Sequence, residues 1–180
     1  MCSQRARSLV VAIATAIVPG FALAQDLPKQ GEFRITFMAT NPVVAKPVQG
    51  AANQTHSVGV LIMAAANETG GALLNNMTGR CTFSNVVDIA AKTFENQGFC
   101  DYADADGDHV YEKYSYPAQP LSPRAKGMGE WTGGTGKFAG LSGTFEITVT
   151  RPASMTEGAT QAIGQKKGTY VIKDKVADAK

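Results

Sequence analysis

Apolar and polar residues alternate along most of this chain with a period of two, and no stretch sustains a 3.6-residue repeat. Phe33, Ile35 and Phe37 alternate with Arg34, Thr36 and Met38, the signature of a half-buried strand. Residues 73–83 set Leu73, Met77 and Cys81 on one parity against Asn76, Thr78 and Arg80 on the other. Further strands are expected at 94–101, 110–116, 138–149 and 168–173. Residues 58–63 are apolar on both parities, which predicts a strand covered on both sides by a loop or another subunit. One segment, 85–93, carries a helix signal, with Asn85 as N-cap and Asp88 in the first turn, although Val86, Val87 and Ile89 work against it. The proline-bearing segments 40–55 and 116–129 read as long loops. Strands at this spacing, divided by Gly, Asn, Asp and Pro, predict an all-β domain.

The densest local signal is WTGGTGKFAGLSG at 131–143, a glycine-rich turn feeding an alternating strand as in closed antiparallel barrels. It superficially suggests a phosphate cradle. A Walker loop needs a glycine where Trp131 stands and Ser or Thr where Phe138 stands, and a dinucleotide fingerprint needs a βαβ context that is missing.

Residues 1–24 read as an export signal: Arg5 and Arg7, an apolar run from Leu9 to Val18, and an Ala22-Leu23-Ala24 cleavage site before Gln25. The apolar run is shorter than the roughly 20 residues a membrane span requires. Cys2 precedes that run and does not have the placement for lipid attachment. The expected organisation is a signal at 1–24, one barrel domain at 25–173 and a frayed tail at 174–180, in a periplasmic or secreted protein. Without Arg5 and Arg7 the 17 basic residues fall to 15, equal to the 15 acidic ones. A neutral mature surface argues against nucleic acid or an anionic membrane as partner. In an oxidising compartment Cys81 and Cys100 are expected to form a disulfide, since His56 and His109 lie at no zinc-ligand spacing from either.

Four constellations are candidates for chemistry. Asp104, Asp106 and Asp108, preceded by Asp101, offer hard oxygen ligands of the kind Ca²⁺ takes, but His109 stands where an EF-hand needs Gly. The competing reading is a tight hairpin turn on Asp106-Gly107. The glycine-rich turn above, with Phe138 beside it, is the second. Glu130 adjoins the only tryptophan, Trp131, and burial beside it would make the carboxyl an acid or base, yet adjacent strand residues face opposite ways. Glu112, Tyr114 and Tyr116 share a parity and are expected to line a pocket or form an exposed aromatic stripe. Candidate ligand-binding residues are therefore Tyr114, Glu112, Trp131 and Phe138, and candidate catalytic residues are Glu130 and Tyr114. No hydrolase motif emerges.

The segment from Trp131 to Val149, with GGTGKF followed by GLSGTF, resembles the stretch shared by allene oxide cyclases and dirigent proteins. Gly98-Phe99-Cys100 with Asp104-Ala105-Asp106-Gly107-Asp108 is similar to exported bacterial members of that barrel group. The resemblance covers about 81–149. It implies a single closed antiparallel eight-stranded β-barrel, calycin-like in outline, that works without a cofactor on an unsaturated fatty-acid epoxide or on phenoxy radicals and associates into dimers or trimers. Its catalytic residues match no individual positions here. Three function classes follow: binding of a small apolar or phenolic molecule, a structural envelope protein with a filled core, and a cofactor-free isomerase or cyclase.

Overall fold

The computed structural model describes residues 27–153 and 160–174, so the export signal and the end of the tail lie outside the described residues. Nine strands follow in chain order: β1 (Gln30–Val44), β2 (Val48–Ala51), β3 (Gln54–Asn67), β4 (Met77–Asp88), β5 (Thr93–Ala103), β6 (His109–Pro120), β7 (Arg124–Gly134), β8 (Leu141–Thr150) and β9 (Thr160–Ile172). Neighbours in sequence pair antiparallel from β3 to β9. β1 pairs with β9 along one edge, from Gln30↔Val171 to Asn41↔Thr160, and with β3 along the other, from Ile35↔Asn67 to Val44↔Gly59. Eight strands thereby close into a ring, and β2 lies outside it as a short addition to β3. This is the all-β domain that the alternation predicts, closed into the eight-stranded barrel that the resemblance implies.

Period two sorts the side chains. On β1, Phe33, Ile35, Phe37 and Ala39 point inward, and the same rule turns Met77 and Cys81 of β4, Cys100 and Tyr102 of β5, and Phe145, Ile147 and Val149 of β8 into the core. One end is plugged. Leu73 and Leu74, fully buried in the β3–β4 connection, and Phe138 in a 3-10 turn (Gly136–Phe138) close it off, and Asn67 holds the first of these with an Nδ2–H donated to the Leu73 carbonyl (2.7 Å).

Several expected boundaries move. The helix expected at 85–93 does not form: Asn85, expected as its N-cap, lies within β4 opposite Asn96, and Asp88 at the end of that strand closes a hairpin turn by accepting the Ala91 N–H at Oδ1 (2.8 Å). Val86 and Val87 favour the strand, and the short turn leaves no room for helical propagation. Segment 116–129 is mostly strand. The Pro117 and Pro120 that argue for a loop deprive β6 of ladder donors, and Gln119 replaces them by donating to the Lys126 carbonyl (2.8 Å) and accepting the Lys126 N–H (3.0 Å). Segment 40–55 likewise continues β1 and forms β2, with Pro42 falling where the β1–β3 register shifts between Thr40 and Val43. The strand expected from 73 starts at Met77, that from 138 at Leu141, and that from 168 already at Thr160. No loop among the described residues covers the outer face of 58–63, where Val58 and Ile62 stand 56% and 48% exposed in the single chain.

Cys81 and Cys100 face each other across β4 and β5 and are disulfide-bonded, both buried. Cross-linking a loop of this length restricts the unfolded chain by about 3 kcal/mol. Urea unfolding with and without reductant should show a loss of that order, and coincident curves would refute the contribution.

Candidate functional site

The inward glycines shape the interior. Gly164 and Gly168 flank Lys166 on the inward parity of β9; a Cβ at Gly164 would collide with the Phe37 ring, and one at Gly168 with the Thr144 carbonyl and the Phe145 Cα and Cβ. The Phe37 ring therefore closes over the β9 backbone on one side of the lysine, and the β8 backbone presses against it on the other. Lys166 is 2% exposed, and its Nζ donates to the carboxyl of Glu112 on β6, also 2% exposed, and to the Tyr102 hydroxyl (2.7 Å). The ammonium lies 4.9 Å from the ring centre of Tyr102, 5.3 Å from Phe37, 5.5 Å from Phe145 and 5.7 Å from Trp131. Aromatic faces supply part of what water would give the cation.

This pair marks a boundary. Towards the plugged end the barrel is filled by an aromatic stack in which Trp131 and Phe145 lie 4.4 Å apart, with Phe33 and Tyr170 against them. Towards the other end lies a cavity of about 390 Å³ with Glu112 and Lys166 among its lining residues. Its walls are apolar, built from Phe37, Leu61, Met63, Phe83, Ile147 and Val149. Tyr114 and Tyr116 run up one wall from Glu112, their rings edge to face at 5.9 Å. The far end carries amides and hydroxyls from Asn41, Ser57, Asn85, Asn96 and Ser122, with the Arg151 guanidinium 4.9 Å above the Phe94 ring.

Burial dominates the electrostatics. It pushes the phenols of Tyr114 and Tyr116 upward, helped by the Glu112 charge, and Tyr102 rises well above its ordinary value for the same reasons. All three stay protonated at neutral pH as hydrogen-bond donors. Burial lowers the Lys166 ammonium below the ordinary lysine range, against the opposing pull of Glu112. The Tyr114 hydroxyl is buried with no hydrogen-bond partner among the described residues.

The sequence-predicted residues separate accordingly. Glu112, Tyr114 and Tyr116 do share the inner face. Trp131 and Phe138 are buried beneath the cavity and not in its lining. Glu130 points outward, half exposed and 3.4 Å from Lys113, because β7 alternates and Trp131 takes the inside. That placement removes Glu130 from any interior acid–base role. Lys166 escaped the sequence reading because the last strand was begun at 168; once β9 is extended to Thr160, a lysine between two glycines on the parity of Tyr170 and Ile172 becomes conspicuous.

The aspartate-rich turn and the glycine-rich turn prove to be two halves of one clasp. Lys137 Nζ lies 2.6 Å from Asp104 Oδ2 and 2.8 Å from Asp106 Oδ2, and the Lys137 N–H is donated to Asp108 Oδ2 (3.1 Å). The Thr135 N–H reaches the His109 carbonyl (2.9 Å), and Thr135 Oγ1 accepts the His109 N–H (2.8 Å). Gly136, at φ 50°, sits so close to the Asp108 carboxyl that a side chain would not fit. Against its burial, hydrogen bonds from Lys137 and from the backbone of Asp108 and Asp106 hold the Asp104 carboxyl below its ordinary range. The expected Ca²⁺ position is thus taken by an ammonium, and among the described residues no cluster of His, Cys, Asp and Glu is arranged to hold a metal.

The chain matches no protein-family model and no curated protein. Among the described residues no helix is long and apolar enough to cross a membrane.

Two expectations follow. Removing one partner of the buried pair, by Glu112→Gln or Lys166→Met, should cost about 3–5 kcal/mol in denaturant unfolding, and the double variant Glu112→Leu/Lys166→Met should recover most of it. Equal losses in all three would contradict the pairing. Ca²⁺ should leave the melting temperature of the natural chain unchanged, whereas Lys137→Ala should lose about 1 kcal/mol and acquire a Ca²⁺-dependent rise, measured by thermal shift.

Proposed function

We propose that this is an exported binding protein whose barrel takes one small, largely apolar or phenolic molecule. The observation that carries it is the cavity itself: about 390 Å³, apolar along its walls and graded in polarity from an ionic floor to an amide-lined far end. Small-molecule sites begin at roughly 300 Å³ and combine such walls with a few placed polar groups. The unpartnered Tyr114 hydroxyl supports the same reading, because a buried hydroxyl without a partner costs about 1–3 kcal/mol and a ligand oxygen would satisfy it. A core left this open speaks against a purely structural envelope protein, whose interior would be filled with side chains.

Export is supported by the signal pattern at 1–24 and by the Cys81–Cys100 disulfide. The eight-stranded ring supports the kinship with allene oxide cyclase and dirigent barrels that we propose. A dimer or trimer is supported by the outer wall, where Ile163, Met38, Val58 and Ile62 expose apolar surface on the neighbouring strands β9, β1 and β3, with Phe99 exposed on β5 beyond them. A second reading, a cofactor-free isomerase or cyclase, draws on Glu112 and Tyr114 lying along one cavity wall. Under it, Glu112→Gln would abolish turnover of a bound substrate without releasing it.

Native mass spectrometry of protein purified from its own host should reveal a bound lipid or phenol. Ala39→Phe, which puts a ring into the cavity from β1, should eliminate that species while leaving the barrel folded by circular dichroism. A bare mass for the natural chain, or equal occupancy in the variant, would sink the binding reading.

A further inference from the structure

A lysine and a glutamate buried together are poor value as structural elements alone. Desolvating two ions costs several kcal/mol each, and apolar residues of equal volume commonly serve stability as well or better. Here the pair sits where the filled half of the barrel meets the cavity, and both members line that cavity. Lys166 Nζ is held by Glu112 and Tyr102 and lies 5.3 Å and 5.5 Å from the ring centres of Phe37 and Phe145. A primary amine fixed at the end of an apolar pocket, hydrogen-bonded to a carboxylate and shielded from water, is the arrangement that imine chemistry needs.

We infer that Lys166 captures an apolar aldehyde or ketone covalently, as an imine formed at the floor of the cavity with Glu112 relaying the proton. The inference rests on the cavity being a ligand site and specifies the ligand's reactive group. In the first step an Nζ proton passes to the Glu112 carboxylate, which exchanges a buried ion pair for a neutral amine and a neutral acid. The amine lone pair attacks the carbonyl carbon, the C=O π bond breaks towards oxygen, and proton transfers give a neutral carbinolamine with Glu112 again protonated. Glu112 returns its proton to the carbinolamine hydroxyl, the C–O bond breaks and water leaves. The product is a protonated imine beside a Glu112 carboxylate, so the charges at the site are the same before and after, and no oxidant or reductant is consumed. The burial that lowers the Lys166 ammonium raises the fraction of free amine available for attack. The dry aromatic surroundings retard hydrolysis of the product.

The test uses the natural chain, 3-phenylpropanal and nonanal as probes, and 3-phenylpropanol and nonanol as their non-carbonyl counterparts. Binding is read from the fluorescence of the single tryptophan, Trp131, and covalent capture by peptide mapping after trapping with cyanoborohydride. The expected result is one adduct per chain, at Lys166, of the aldehyde's mass less one oxygen. The matching alcohol should suppress it at least tenfold, and Lys166→Arg, if folded, should lose it. An aldehyde that changes Trp131 fluorescence yet leaves Lys166 unmodified, or an adduct spread over exposed lysines such as Lys113 and Lys126, would overturn the imine while leaving the binding reading intact. If none of the four probes binds, the binding reading falls and the imine falls with it.

Discussion

Closure of the sheet on itself is the constraint from which the other features descend. β1 must satisfy two ladders at once, to β9 and to β3, and it does so across nearly its whole length. Once those seams form, no strand of the ring keeps an unpaired edge, and inward and outward parities are locked together around the circumference. Eight strands enclose a space just wide enough either to be filled by side chains or to hold one small molecule. This protein does both, one at each end.

The division arises from side-chain size along each inward row. Near the plugged end the rows carry Phe33, Trp131, Phe145 and Tyr170, whose rings meet at the axis. Further along, the inward positions change to Ala39 on β1 and Ala162 on β9, too small to reach across, and the cavity opens. Lys166 and Glu112 stand at the transition, where an ammonium can lie against the last aromatic rings and still border the void. The same device recurs on the wall, where Gly98 leaves room for the Tyr114 phenol to fold over the β5 backbone.

The clasp between the two loop motifs is a different kind of solution. Several carboxylates gathered in one turn repel one another until a cation is found, and the neighbouring hairpin supplies Lys137 for that purpose. It ties the β5–β6 turn to the β7–β8 turn at the plugged end, far from the cavity mouth. A sequence motif that resembles an ion site, and another that resembles an anion cradle, thus neutralise each other.

Much of the barrel was legible in the chain, because alternation is a local property and each strand carries it independently of its neighbours. Phe33-Ile35-Phe37 declares a half-buried strand in three alternate residues, while Glu112-Tyr114-Tyr116 shows a shared face, and Trp131 against Glu130 opposed faces, without showing which side is inner. The pairing of Cys81 with Cys100 followed from compartment and parity of number. Other features needed the third dimension. Pro117 and Pro120 read as loop until Gln119 is seen completing the ladder, and Asp88 read as part of a first helical turn until the hairpin it closes is seen to reverse the chain. The Lys166–Glu112 pair, 54 residues apart, and the cavity beside it depend on which inward rows meet across the axis, and that is set by closure and register. Sequence alone determined which residues of a strand share a face, since that is a matter of period. Tertiary structure alone decided which inward residues meet and where none does, since that is a matter of how the ring closes.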